Sequence, residues 1–197
     1  MATNTRRTLT TICKLACCLG LALLLLAASP AAAADVKLPA ELTVAGQKLV
    51  LNGSGIRKKF FFSIYACGLY LPKTEKDAKK VIAADEPKAI IMHMIHSKVS
   101  KEKIVKAWDD GFFKNSQEKL DQLKERIATF DAIFNRDLLA GDRLIMSYVP
   151  GQGTIVKFND EVHKPIPGKD FNDALLAIWL GDNPADDDLK EAMLGID

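Results

Sequence analysis

The order of the strand and helix patterns constrains the fold of this chain more than any other feature of its sequence. Strand patterns occupy residues 42–71, 88–96 and 143–166, whereas helical periodicity occupies residues 100–134 and the segment after 168. Strands and helices that are segregated in this way, instead of alternating one by one, indicate an α+β protein with a mainly antiparallel sheet. A doubly wound parallel sheet is not expected.

The first group of strands contains tight turns. Residues 42–51 predict a hairpin around Gly46, and residues 52–55, with the sequence Asn-Gly-Ser-Gly, predict a turn or a bulge. A β-prone aromatic run follows from Phe60 to Leu71, where a proline ends it. This run is the most apolar strand candidate in the chain.

Helical patterns separate the two groups of strands. A helix is expected to begin at Ser100, and a second one from about Ser116 has apolar residues at steps of three and four. These apolar positions are Leu120, Leu123, Ile127, Phe130 and Phe134. Two more helices are expected after 168, the first of which ends at Gly181.

The N-terminal 34 residues have the composition of a secretory signal peptide. Arg6 and Arg7 precede an apolar stretch from Leu15 to Leu26, and four alanines end at Ala34. We therefore expect cleavage near Ala34, a domain formed by residues 35–197, and a periplasmic or secreted protein without an integral membrane segment after cleavage. An uncleaved N-terminal anchor is the alternative.

Charge and cysteine content restrict the function of the remaining domain. Three of the 27 basic residues lie in the leader, which leaves 24 against 25 acidic residues and excludes a nucleic-acid binder that works through a basic surface. Three of the four cysteines also lie in the leader. Cys67 alone remains, inside an apolar run, and is expected to be a buried, unreactive thiol.

The usual signatures of metal or nucleophilic chemistry are missing from the sequence. His93 and His96 are three residues apart on a predicted strand, so they point to opposite faces and cannot bind one metal together. The acidic residues 182–188 lack the register of a calcium loop and suit a helix N-terminus. We therefore predict neither a metal nor another cofactor.

Four short motifs resemble those of the chalcone isomerase-like family, in particular its secreted bacterial members. They are Gly55-Ile56-Arg57, the run from Tyr65 to Leu71, the turn at 150–154, and the segment 170–181. The resemblance covers nearly all of the chain after the leader. It implies an open-faced β-sandwich, in which helices back one large antiparallel sheet and a ligand cleft lies between sheet and helices.

The resemblance also assigns candidate site residues. The cleft arginine of the plant isomerases matches Arg57, and Tyr65 stands where those enzymes use a threonine. Lys103 and Asp110 stand at the places of a tyrosine and an asparagine, and Ile178 replaces a late threonine. Three of the polar positions are therefore altered, whereas the arginine is kept.

An arginine with a tyrosine in place of the threonine is similar to the non-catalytic, fatty-acid-binding branch of the family. Guanidinium gives a carboxylate two parallel N–H bonds, and a phenol adds a third without charge. We therefore predict a binder of a small apolar carboxylate at Arg57 and Tyr65. The apolar walls are expected from Phe60–Phe62, Met92, Met94, Trp108, Phe112 and Phe113.

Two alternatives remain open at this point. The first is an isomerase of the chalcone isomerase type, an intramolecular lyase that acts on a flavonoid-like substrate with Arg57, Tyr65, Lys103 and Asp110 in its site. The second is a periplasmic interaction module without a small ligand.

The spacing of Arg57 and Tyr65 sets a geometric condition on any shared site. Eight residues of unbroken strand would separate them by about 26 Å. They can hold one ligand only if the chain folds back or bends between them. We expect this to occur at Lys58-Lys59.

Overall fold

The computed structural model describes residues 36–196. The predicted signal peptide, residues 1–34, lies outside the described residues. The strands are β1 Glu41–Val44, β2 Gln47–Lys59, β3 Phe62–Leu71, β4 Lys88–Met94, β5 Lys98–Val99, β6 Leu138–Leu139, β7 Arg143–Val149, β8 Gly153–Phe158 and β9 Glu161–Val162. The helices are α1 Ala78–Ala83, α2 Lys101–Ser116, α3 Leu120–Asp131, α4 Lys169–Leu180 and α5 Asp187–Leu194.

Seven strands form one sheet in the order β1-β2-β3-β4-β7-β8-β9, and each neighbouring pair is antiparallel. Strands β5 and β6 form a separate small pair. The predicted α+β class with a large antiparallel sheet backed by helices is confirmed.

The glycine-rich segment 52–55 is a bulge inside β2 and does not end the strand. The register of β2 against β3 shifts between Leu51 and Gly53. A Cβ atom at Gly53 would overlap the carbonyl oxygen of Ala192, and one at Gly55 would lie 2.8 Å from the Ala192 Cβ. The two glycines therefore let helix α5 pack directly against the backbone of β2.

Local capping explains where the first helices begin. The Ser100 hydroxyl accepts a hydrogen bond from the Lys103 amide at 3.4 Å, and the Asp77 carboxylate caps α1. The helix expected over residues 116–134 is shorter than its pattern. A 3₁₀ turn at 117–119 precedes α3, which ends at Asp131.

The sheet buries its two faces unequally. Alternate residues of β3, including Tyr65, Cys67 and Leu69, belong to the large core between the sheet and the helices. On the opposite face a smaller cluster surrounds Tyr70, whose hydroxyl donates to the Pro39 carbonyl at 2.8 Å. The predicted burial of the Cys67 thiol is confirmed, and burial raises its pKa.

Residues 36–196 contain two hydrophobic clusters, the large core between the sheet and the helices and the smaller one on the opposite face. None of the helices within this part has the length and apolarity that crossing a bilayer requires.

Candidate ligand site

The β2–β3 hairpin places Arg57 and Tyr65 opposite each other as cross-strand partners. The expected reversal of the chain between them occurs, but not at Lys58-Lys59. Both lysines still pair with β3, and the turn consists of Phe60 and Phe61. A second register shift, between Arg57 and Lys58, brings the arginine to the level of the tyrosine.

A cavity of about 220 Å³ lies beside this pair, at the place where the hairpin meets α2 and the loop after α4. Arg57, Lys59 and Tyr65 line it from the hairpin. The other lining residues are Ile104, Ala107, Trp108, Asp110, Gly111 and Lys114 of α2, Ile178 of α4, and Asn183, Pro184 and Ala185 of the following loop. The hairpin wall therefore carries two cations, and the other walls combine apolar side chains with the polar residues Asp110, Lys114 and Asn183.

Two N–H groups of the residues that line this cavity have no hydrogen-bond partner. They are the buried Nε of Arg57 and the buried indole Nε1 of Trp108. Within residues 36–196, no carboxylate lies within 4.0 Å of a nitrogen of the Arg57 guanidinium. A half-buried cation and a buried donor without partners both carry a desolvation cost, which an anion in the cavity would offset.

Tyr65 supplies a neutral polar group at the same place. Its hydroxyl oxygen accepts a hydrogen bond from the Trp179 indole N–H at 3.1 Å, which leaves the phenolic hydrogen free to donate. Burial raises the Tyr65 pKa, while the positive charge of Arg57 opposes this shift only in part. The phenol is therefore protonated at neutral pH.

The guanidinium carbon of Arg57 lies 5.8 Å from the centroid of the Tyr65 ring. At this distance the ring face attracts the cation weakly and holds it beside the hydroxyl. The contact orients Arg57, but within residues 36–196 the buried Nε of its guanidinium stays without a hydrogen-bond partner.

The other candidate residues do not join Arg57 and Tyr65 in one polar cluster. Asp110 lines the cavity, but it is exposed and its two carboxylate oxygens accept bonds from Lys106 Nζ at 2.8 and 2.9 Å. Lys103 is exposed and does not line the cavity. Ile178 lines it with an apolar side chain and packs against Gly111, where a Cβ atom would lie 2.9 Å away.

The expected apolar walls are mostly wrong. Of the aromatic and methionine residues proposed for them, Trp108 lines the cavity. Met92, Met94 and Phe112 are buried in the main core, whereas Phe60–Phe62 and Phe113 are exposed. The error has a physical cause, because the aromatic run contains the hairpin turn and its first residues are exposed to solvent.

Sequence reasoning missed the role of Trp179, which was expected only on the apolar face of α4. Its indole bonds to Tyr65 across 114 residues of chain, so no local pattern signals it. Within residues 36–196 there is no group of three or more His, Cys, Asp or Glu side chains that could hold a metal ion.

Comparisons with known proteins agree with this architecture. A family model described as chalcone isomerase-like matches residues 30–195. No curated protein matches the chain. A solved structure of a fatty-acid binding protein from Arabidopsis thaliana has a TM-score of 0.64 and 16% identity, and the match covers 80% of this chain and 90% of that one. At this identity the likeness demonstrates a shared fold.

Proposed function

The chain belongs to the chalcone isomerase-like family, and from this premise we propose that it is a non-catalytic binder of small apolar carboxylates such as fatty acids. The ligand would occupy the cavity lined by Arg57, Tyr65 and Trp108. Its carboxylate would take the place of the acidic partner that Arg57 lacks among residues 36–196.

The observation that carries this proposal is the pair of unpartnered buried N–H groups, Arg57 Nε and Trp108 Nε1. Together with the free phenolic hydrogen of Tyr65, they give three kinds of donor on residues that line one cavity. A carboxylate has two oxygens and about four lone pairs, so it can use several such donors at once. A neutral ester or alcohol would use fewer of them and would leave the cation without a counter-charge.

The size of the cavity bears on the length of the ligand. Ligand pockets usually have volumes of about 300–1,000 Å³, and this cavity has about 220 Å³. It therefore suits the carboxyl end of a fatty acid with part of its chain. A longer chain would either leave through the open side or require α2 and the loop after α4 to move apart.

Two further points support a binder over an isomerase. The Arabidopsis protein that shares the fold is described as a fatty-acid binding protein. In addition, ring closure needs a positioned acid, base or water-binding group near the reacting oxygen. Here Asp110 is held by Lys106, Ile178 is apolar, and Lys103 lies outside the cavity.

Calorimetric titration of the delipidated protein with laurate and with its methyl ester tests the proposal. We expect laurate to bind and the ester to bind at least about 10-fold more weakly, because hydrogen bonds to charged groups contribute about 1.5–3 kcal/mol. Arg57→Met should weaken laurate binding by about the same factor. Lys58→Met, which changes the neighbouring exposed cation, should leave it unchanged.

Equal affinities for laurate and its ester, or an unaltered Arg57→Met, would contradict the carboxylate site. The isomerase alternative makes a different prediction. In that case the purified protein would close a chalcone ring much faster than the spontaneous reaction, and Arg57→Ala would abolish the acceleration. A protein that shows neither activity would leave the interaction module as the remaining alternative.

We also propose that residues 1–34 are a signal peptide and that the binder acts in the periplasm or outside the cell. The basic start, the apolar stretch and the four alanines of the leader support this. N-terminal sequencing of the protein from a periplasmic extract should give a start close to residue 35. A protein that retains Met1 and stays with the membrane fraction would instead indicate an uncleaved anchor.

A further inference from the structure

The turn between β2 and β3 exposes three consecutive phenylalanines. The exposed fraction is 86% for Phe60, 100% for Phe61 and 58% for Phe62. Lys58 and Lys59 precede them and are exposed as well. We call residues 58–62 the aromatic tip. Single exposed apolar residues are common on soluble proteins, but a continuous aromatic group at the end of a hairpin indicates a contact surface.

The backbone of the tip does not explain why phenylalanine is present. Phe60 has φ +55°, in the left-handed region that a bulky side chain adopts only at a cost. Two-residue hairpin turns favour glycine, asparagine or aspartate at such a position. Neither folding of the turn nor solubility benefits from Phe60 and Phe61, so their value lies in what they contact.

The charge of the tip favours one kind of partner. Within residues 36–196, Lys58 and Lys59 have no carboxylate within 4.0 Å of their ammonium groups. Aromatic side chains beside unpaired lysines match the layered chemistry of an anionic bilayer, where acyl chains lie beneath negative headgroups. Two tips packed about a two-fold axis would instead bring like charges together.

We propose that the aromatic tip docks the protein onto an anionic phospholipid bilayer. Phe60 and Phe61 insert at the boundary between headgroups and acyl chains, and the two lysines bind the negative headgroups. The side chains of Phe60 and Phe61 are almost fully exposed, which suits insertion into a fluid surface. The docking surface is defined by its own exposure and charge, and it does not depend on the ligand proposed above.

The aromatic tip adjoins the cavity, so docking of the tip also affects where the cavity lies. Lys59 belongs both to the tip and to the cavity lining, and Arg57 lies two residues before it on β2. Docking therefore brings the cavity close to the lipid surface. An apolar carboxylate can then pass between bilayer and cavity over a short distance.

Vesicle flotation tests the proposal, with the same N-terminus in every variant so that the leader cannot account for differences. We expect the protein to float with vesicles of phosphatidylcholine and phosphatidylglycerol, and less with phosphatidylcholine alone. Phe61→Ser should lower the partition coefficient about 10-fold, because one phenylalanine is no longer buried. Lys58→Gln should lower it about 5-fold, and only on anionic vesicles.

Two matched controls come from the same sheet. Val162 is 63% exposed on β9, at the opposite edge region, and Val162→Ser should bind as the unaltered protein does. Lys48 is an exposed lysine at the other end of β2, and Lys48→Gln should also have no effect. Phe61→Trp reports insertion directly, because brominated lipid should quench this indole while the buried Trp108 and Trp179 stay unquenched.

Absence of binding to anionic vesicles, or equal binding by Phe61→Ser, would overturn the proposal. So would a concentration-dependent dimer that Phe61→Ser abolishes in the absence of vesicle binding, because the tip would then join two copies of the chain. Laurate titration remains unaffected by any of these results, so a failure of docking is distinguishable from a failure of the ligand site.

Discussion

Arg57 and Arg136 both lie beside an aromatic ring of the sheet, but within residues 36–196 only Arg136 has a carboxylate partner. Each guanidinium lies over an aromatic ring of the sheet, at 5.8 Å from Tyr65 for Arg57 and at 4.7 Å from Phe158 for Arg136. Arg136 also donates to both oxygens of Asp142, at 2.8 and 3.0 Å. Arg57 has no equivalent acid among residues 36–196.

The difference separates a structural ion pair from an open binding position. Asp142 accepts further bonds from the Leu139 amide and the Asn159 side chain, so its carboxylate is fully used. The Arg136 guanidinium, helped by these bonds, lowers the Asp142 pKa to about 2. At Arg136, the anion that pairs with the guanidinium is a residue of the chain, Asp142. At Arg57 residues 36–196 supply no anion, and we propose that a ligand carboxylate takes that position.

Replacing each arginine in turn should give the largest difference in stability between the two positions. Arg136→Met leaves the nearly buried Asp142 without its cation. Because Arg136 itself is 45% exposed, we expect a loss of about 2 kcal/mol in the free energy of unfolding at pH 7. Arg57→Met removes a cation that has no partner, so the ligand-free variant should be at least as stable as the unaltered protein. Urea unfolding of both variants measures the contrast, and equal losses would contradict it.

The next prediction concerns Asp142, the acid of the Arg136–Asp142 ion pair, and its effect on stability. The Asp142 pKa is lowered from 3.8 to about 2 in the folded state, so its stabilising contribution is present above pH 4 and is lost as the pH falls toward 2. We expect Asp142→Asn to cost about 2 kcal/mol at pH 7 and much less at pH 2. Thermal unfolding across this range measures the effect, and a loss that does not depend on pH would argue against the ion pair.

Asp131 is the reverse case of Arg57, because it is an acid beside another acid. Asp131, at the end of α3, lies near Asp109 of α2, and burial followed by the charge of Asp109 raises its pKa to about 7. The folded protein therefore retains a proton that the unfolded chain has already lost, so stability falls as the pH rises from about 4 to 7.

Asp131→Asn should remove this penalty. We expect its melting temperature to exceed that of the unaltered protein by about 2–6 °C at pH 8, with little difference at pH 4. Asp109→Asn is the matched variant and should give a smaller gain in the same direction. A constant difference between pH 4 and pH 8 would show that Asp131 does not titrate in this range.

The smallest predicted effect concerns Tyr65. Its neutral hydroxyl adds one hydrogen bond to a carboxylate that Arg57 already attracts, so Tyr65→Phe should weaken laurate binding only about 2-fold to 10-fold. The fold should survive, although the Trp179 indole loses its acceptor. An effect as large as that of Arg57→Met would mean that the phenol, and not the guanidinium, anchors the ligand.

Much of the fold followed from short-range signals. Ser100 caps its helix as its residue type predicts, and alternation in β3 separates the two faces of the sheet. The helix expected to run to Phe134 ends at Asp131 instead. Phe134 is nevertheless buried and packs against Phe130, with ring centroids 5.3 Å apart. The apolar periodicity therefore predicted the burial of Phe134 correctly but predicted the length of the helix incorrectly. A side chain can be buried without being part of a helix.

Residue order alone was enough to predict the class of the fold, to find the family motifs and to single out Arg57 as the cation of interest. Tertiary structure decided which side chains share its surroundings. The reversal at Phe60-Phe61, two residues beyond the expected place, brings Tyr65 beside Arg57 and sends the phenylalanines outward. Local patterns report the preferences of neighbouring residues, whereas the partner of a charge depends on contacts between distant segments. For this reason the sequence could not show that Arg136 has an acid and that Arg57 has none.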